Sequence, residues 1–129
     1  VDGMGRDMDE RQRYRKLIEE NLEYDILLQN NPYDRETIEE IMELILDTVC
    51  SKRQYIRIAG DDKPCEVVKN QFLKLNGGHI EYVLASFREN ATKVRNIKQY
   101  LLASLYNAPL TMSNYFDALV RHDMANGFT

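Results

Sequence analysis

The sequence predicts an all-α fold: a compact helical domain of about five to seven helices, with at most one short extended segment near residues 54–59. In most windows the apolar residues recur at i, i+3, i+4 and i+7, the spacing of one face of a helix. Asn31-Pro32, Gly60-Asp61-Asp62, Asn76-Gly77-Gly78 and Pro109 punctuate those windows where a helix should stop. Strict alternation is confined to a single stretch, QYIRIAGDD.

Tyr14, Leu17 and Ile18 predict a first helix from Asp9 to about Glu20, with the basic cluster RQRYRK on its remaining surface. LEYDILLQ continues it as a bent extension or a short second helix that ends at Asn30, because the residue before Pro32 is pushed out of the α region. Asp34 is placed to cap the next helix, from Arg35 to about Ser51, whose inner face is Ile38, Ile41, Met42, Ile45 and Val49. Glu39, Glu40, Glu43 and Asp47 cover its other side. In QYIRIAGDD the alternation of Ile56 and Ile58 fits one extended strand with no obvious partner.

Pro64 suits the first turn of a helix carrying Val67, Val68, Phe72 and Leu75 inward, which Asn76-Gly77-Gly78 ends. Ile80, Val83, Leu84 and Phe87 predict a helix from His79 to about Asn90. Thr92 is expected to cap the following one, with Val94, Ile97, Leu101, Leu105 and Ala108 as its apolar stripe and Pro109 as its stop. Thr111 or Ser113 would then cap a last helix burying Phe116, Leu119 and Val120. Residues 1–8 are read as a disordered tail, 9–124 as one domain, and 125–129 as a frayed end. The start at Val1 rather than methionine is read as a piece of a longer protein.

Composition narrows the function classes. With 43% hydrophobic and 29% charged residues the chain reads as one globular domain. A domain of this length buries roughly two thirds of its unfolded surface, so stability calls for no disulfide, metal or cofactor. No apolar run reaches the roughly 20 residues that span a bilayer and no signal pattern opens the chain, so a cytoplasmic protein is expected. Cys50 and Cys65 lack a CxxC spacing and are expected as reduced thiols. The net charge of -4 is uneven: six basic residues stand against fourteen acidic ones up to Asp47, and eleven against seven beyond it. A polyanion would meet the second half.

Catalytic chemistry is not written in the chain. Cys50, Cys65, His79 and His122 are isolated, with no HExxH or CxxC to hold a metal. No GxSxG or phosphate loop is present, and adjacent pairs such as Glu39 and Glu40 diverge on a helix. A non-enzyme is expected. The grouped cations carry more weight: Lys93, Arg95 and Lys98 fall within about one and a half helical turns, not far from Arg88. Such a cluster can neutralise phosphates or dock a protein, although a core helix must also show polar residues to water. Tyr106 and Asn107 stand near the end of the same predicted helix as contact candidates, and Tyr100 is expected half-buried.

Three blocks, EYDILLQNNPYDRETIEEIMELILDTVC, IRIAGDDKPCEVVKNQFLKLNGGHIEYVL and TKVRNIKQYLLASLYNAPLTMSNYF, together resemble a family: the C-terminal domain of replication initiator protein A, the RepA-type initiator of plasmids and mobile elements of Gram-positive bacteria. The likeness runs from about Tyr14 to His122. It implies a non-enzymatic replication module whose partner is a host primosomal or helicase-loading protein. From about His79 to Ser113 the chain is also similar to the helical C-terminal domain of DnaD-type primosomal proteins, with Tyr100, Leu105 and Asn107 matching its pattern and Ser104 and Ala108 differing. That second likeness implies direct DNA binding through the basic face around Lys93 to Lys98 as the alternative. A self-association domain is the third reading. On each, Arg88, Lys93, Arg95, Lys98, Tyr106 and Asn107 are the candidate contact residues, with no cofactor and no metal.

Overall fold

A computed structural model describes residues 2–125, with the surroundings of side chains given from 8 to 112. Among the described residues the architecture is six α-helices and one small hairpin: α1 (Asp2–Leu22), α2 (Tyr24–Asn30), a 3-10 turn (Pro32–Asp34), α3 (Arg35–Val49), β1 (Tyr55–Ile58), β2 (Asp61–Pro64), α4 (Cys65–Phe72), α5 (Gly77–Asn90) and α6 (Ile97–Ala125). The mostly helical class stands as the sequence predicts. The first helix starts at Asp2 rather than Asp9. Glu23, at φ 49 in the left-handed region, separates α1 from α2, so the segment is a second helix rather than a bend.

The third helix is the centre of the core. Its predicted stripe of Ile38, Ile41, Met42, Ile45 and Val49 is buried, each at 2% exposure or less. Leu44, Leu46 and Thr48 are buried as well, because α1, α4 and α6 all pack on this helix and leave it more than one inner face. Each such aliphatic side chain withdrawn from water contributes roughly 1.5–3 kcal/mol. The Thr48 hydroxyl donates to the Leu44 carbonyl at 2.8 Å, which satisfies it inside the core. Among the described residues no buried side-chain nitrogen or oxygen lacks a partner.

A second strand corrects the expectation of a single extended segment. The chain reverses at Ala59-Gly60, where both residues have positive φ (51 and 87), as a type I′ hairpin turn requires. Tyr55 then pairs with Pro64, Ile56 with Lys63, Arg57 with Asp62 and Ile58 with Asp61. Ile58 plugs the core at 1% exposure. Pro64 is therefore the last residue of a strand and the N-cap of α4, not part of its first turn.

Further corrections concern boundaries and faces. Asn76-Gly77-Gly78 begins α5 rather than only ending α4: the Asn76 side chain accepts from the His79 amide at 3.0 Å while His79 Nδ1 accepts from the Asn76 amide at 3.0 Å. Asp34 offers its helix no side-chain cap, since its carboxylate is taken by Arg88. Leu17 and Val67 are 43% and 47% exposed, on the wet sides of α1 and α4.

Pro109 does not stop α6, which continues to Ala125 as one helix, so neither Thr111 nor Ser113 caps a new one. The missing N–H leaves one carbonyl a turn earlier without its partner, a cost that a long helix can absorb. The inward placement of Phe116, Leu119 and Val120 lies outside the described side chains, and residues 126–129 of the frayed end lie outside the described residues.

Candidate functional site

The predicted basic helix is divided by a cap. Asn96 Oδ1 accepts from the Gln99 amide at 3.1 Å, the bond an N-cap side chain makes, so α6 begins at Ile97 and Thr92 caps nothing. Ala91–Asn96 is an irregular connection after α5, closed at its start by the Lys93 amide on the Asn90 carbonyl at 2.9 Å. Lys93 and Arg95 consequently sit on this loop, exposed, and only Lys98 is on the helix. None of the three makes an ion pair among the described residues. Lys98 occupies the first turn, where the positive end of the helix dipole disfavours a cation by roughly 0.3–1 kcal/mol. Its placement is not there for the stability of α6.

The other candidates separate from that cluster. Arg88, in the last turn of α5, is ion-paired with Asp34, and the hydrogen bond to that carboxylate raises its pKa. It fastens α5 to the turn before α3. Tyr106 and Asn107 lie roughly 12 Å along the axis from Lys98. Tyr106 is half-buried, with Lys63 Nζ 5.1 Å from its ring centroid and its carbonyl accepting from Gln71 Nε2 at 3.1 Å. Asn107 is exposed. Tyr100 is half-buried as expected, its ring 6.0 Å from that of Phe87 and its hydroxyl 3.5 Å from Asn90 Nδ2.

The stripe on α6 also departs from its expected burial. Leu101, Leu105 and Ala108 are buried, at 3% exposure or less, and Leu102 joins them at 4%. Ile97 is 49% exposed, and Val94 is on the loop. Ile97 opens into a groove of about 670 Å³ between α3 and the start of α6, lined by Leu44 and Leu101, by Glu36, Glu39, Glu40, Glu43 and Asp47 of α3, and by Lys98. Sequence reasoning missed this groove because Ile97 fits the helical period of a core residue. The available signal was the cap at Asn96, which makes Ile97 the first residue of the helix, at the edge of the packed face.

Electrostatics along the acidic helix is graded. Arg11 reaches Glu43 at 2.7 Å and Asp47 at 3.0 Å, and Arg15 reaches Glu43 at 3.1 Å. The Arg11 hydrogen bond, outweighing partial burial, holds the Glu43 carboxyl below its usual range. Burial works against the charge of Arg11, but its bonds to Glu43 and Asp47 prevail and raise its pKa. Arg35 takes Glu39 at 3.0 Å. Glu36 and Glu40 have no ion pair among the described residues, and both face the groove.

The thiols and the described imidazole are engaged structurally. Cys65 is buried, its Sγ 3.8 Å from the Ser51 carbonyl, and burial pushes the half-buried Cys50 thiol up, away from the nucleophilic thiolate. Among the described residues no group of three or more His, Cys, Asp or Glu is placed to hold a metal ion, and no helix is long and apolar enough to cross a membrane.

A model of the family of unknown function DUF6017 matches residues 3–127. The chain belongs to this family. The match takes in every element of the DUF6017 domain from α1 to the end of α6, so the groove and the basic loop both lie within it. No curated protein and no solved structure matches the chain.

Proposed function

We propose that this DUF6017 domain is a non-enzymatic docking module of a plasmid or mobile-element replication initiator, which binds a host primosomal or helicase-loading protein in the cytoplasm. One observation carries the docking part: half-exposed Ile97 stands in an apolar-floored groove beside Lys98, a cation without an intramolecular ion pair among the described residues. An exposed aliphatic residue ringed by charged ones is the composition of a protein-binding patch rather than of a phosphate track. The replication part rests on the resemblance of the three sequence blocks to RepA-type C-terminal domains. The non-enzymatic part is supported by the use of His79 as a cap acceptor and by the raised pKa of Cys50.

Direct DNA binding is the second reading, favoured by the exposed, unpaired Lys93 and Arg95 on the loop before α6. One experiment separates the two. Immobilised domain is titrated with purified host primosomal and helicase-loading proteins, and fluorescence anisotropy follows labelled single- and double-stranded DNA at low salt. Docking predicts protein binding that Ile97→Asp weakens about tenfold, a loss of about 1.4 kcal/mol, and no DNA binding. DNA binding with a steep salt slope that Lys93→Glu with Lys98→Glu flattens would replace docking with the second reading.

A further inference from the structure

Resting on the docking reading, and extending it to the chemistry of the partner, is the surface of α3. Glu36, Glu40 and Leu44 follow one another at i, i+4 and i+8, a straight row of about 12 Å along the helix. Such a row is the ridge beside which a second helix lies. Across the groove from it, Ile97 and Leu101 supply the apolar wall. We infer that the groove between α3 and the first turn of α6 seats a cationic amphipathic helix of a protein partner. Its apolar residues rest on Leu44, Ile97 and Leu101, and its lysines or arginines meet Glu36 and Glu40.

The sign of the partner follows from which charges are already spent. Glu39, Glu43 and Asp47 are held by arginines of this chain, whereas Glu36 and Glu40 are uncompensated among the described residues. Two carboxylates one turn apart beside an apolar floor repel a nucleic-acid backbone and attract a cation-flanked anchor. Lys98, at the other edge, selects against a helix that is cationic all round and favours one with an acidic residue on that flank. A polyanion and this helix would therefore use different faces, the first the loop of Lys93 and Arg95, the second the groove.

The test uses the 129-residue chain labelled for amide NMR and two peptides of roughly 18 residues with leucine at i, i+3, i+4, i+7 spacing, one carrying lysine and the other glutamate on the polar face. The lysine peptide should shift amides clustered on α3 and the start of α6, and the glutamate peptide should not. Glu36→Lys with Glu40→Lys should weaken the lysine peptide about tenfold and admit the glutamate peptide. Ile97→Asp should weaken the lysine peptide; should that variant misfold by circular dichroism, the charge-reversal pair decides alone.

Shifts clustered elsewhere, or a reversed variant with unchanged preference, overturn the inference. So does a concentration-dependent dimer in light scattering that Ile97→Asp abolishes, since the groove would then belong to a second copy. Two outcomes distinguish this inference from the docking reading. Host-protein binding that Glu36→Lys with Glu40→Lys leaves undiminished overturns the groove assignment alone. A seated lysine peptide without any host-protein binding overturns the replication reading alone.

Discussion

At the scale of single residues, the reciprocal cap at the start of α5 ties the fold to pH. His79 Nδ1 accepts from the Asn76 amide, which an imidazolium cannot do, and burial lowers the His79 pKa. Its folded pKa thus lies below the unfolded value of about 6.5, so the unfolded chain binds more protons between the two. The stabilisation is complete above about pH 6.5 and is lost as pH falls through the folded pKa. Glu43, also depressed, has its own window further down: its contribution is present above about pH 4.3 and lost as pH falls through its lowered pKa. Urea unfolding of the wild-type chain and His79→Ala should differ by roughly 0.5–1 kcal/mol near pH 8. That gap should close as pH falls below about 6.5 and through the lowered pKa of His79. A gap that stays constant across the His79 window would mean the imidazole acts by packing rather than as an acceptor.

At the scale of elements, the structure separates what periodicity encodes from what it does not. The face of α3 was legible because Ile38, Ile41, Met42, Ile45 and Val49 keep a strict helical period that the core then uses. The hairpin was half legible: Ile56 and Ile58 alternate, but Asp61-Asp62-Lys63-Pro64 has no strand composition and is paired only because Ala59-Gly60 turns the chain back. Likewise the helical period of α6 placed Ile97 in a core stripe, and only the side-chain cap at Asn96 makes it the rim of a groove. Lys93 and Arg95 left the expected helix for the same reason. Close approach of two elements was equally silent: a Cβ on Gly77 would stand 2.8 Å from the Leu22 carbonyl oxygen, which fixes how α5 starts against the end of α1. The turn offers the clearest element-scale prediction. Ala59 is held at φ 51, where an L-residue other than Asn, Asp or Gly costs roughly 1–2 kcal/mol. Ala59→Asn creates Asn-Gly, the preferred type I′ pair, and should stabilise the chain by about 0.5–1 kcal/mol, raising the thermal midpoint by a few degrees. A lowered midpoint would show that the Ala59 methyl packs more than it strains.

At the scale of the molecule, one helix organises everything else. The third helix touches α1, α4 and α6, its buried side binds the core together, and its exposed side carries both the arginine-held carboxylates and the groove. The candidate site is therefore positioned by the most buried element rather than by a free loop, and its geometry should persist as long as the fold does. Ile45, at 0% exposure in the middle of α3, tests this. Ile45→Ala removes three carbons from a packed interior and should cost about 2–5 kcal/mol. Domains of this size are stable by roughly 6–19 kcal/mol, so the variant should remain folded at room temperature with a lower denaturant midpoint and an unchanged slope. The chain has no tryptophan and eight tyrosines, and three of them, Tyr100, Tyr106 and Tyr115, lie on α6. In a background with Tyr14, Tyr24, Tyr33, Tyr55 and Tyr82 replaced by phenylalanine, tyrosine fluorescence samples α6, while far-UV circular dichroism reports all the helices. If α3 is the common anchor, the two signals should move to lower denaturant together in Ile45→Ala. Transitions that separate would mean that α6 with its groove unfolds as a unit apart from α3, and the two walls of the groove would then belong to different cooperative units.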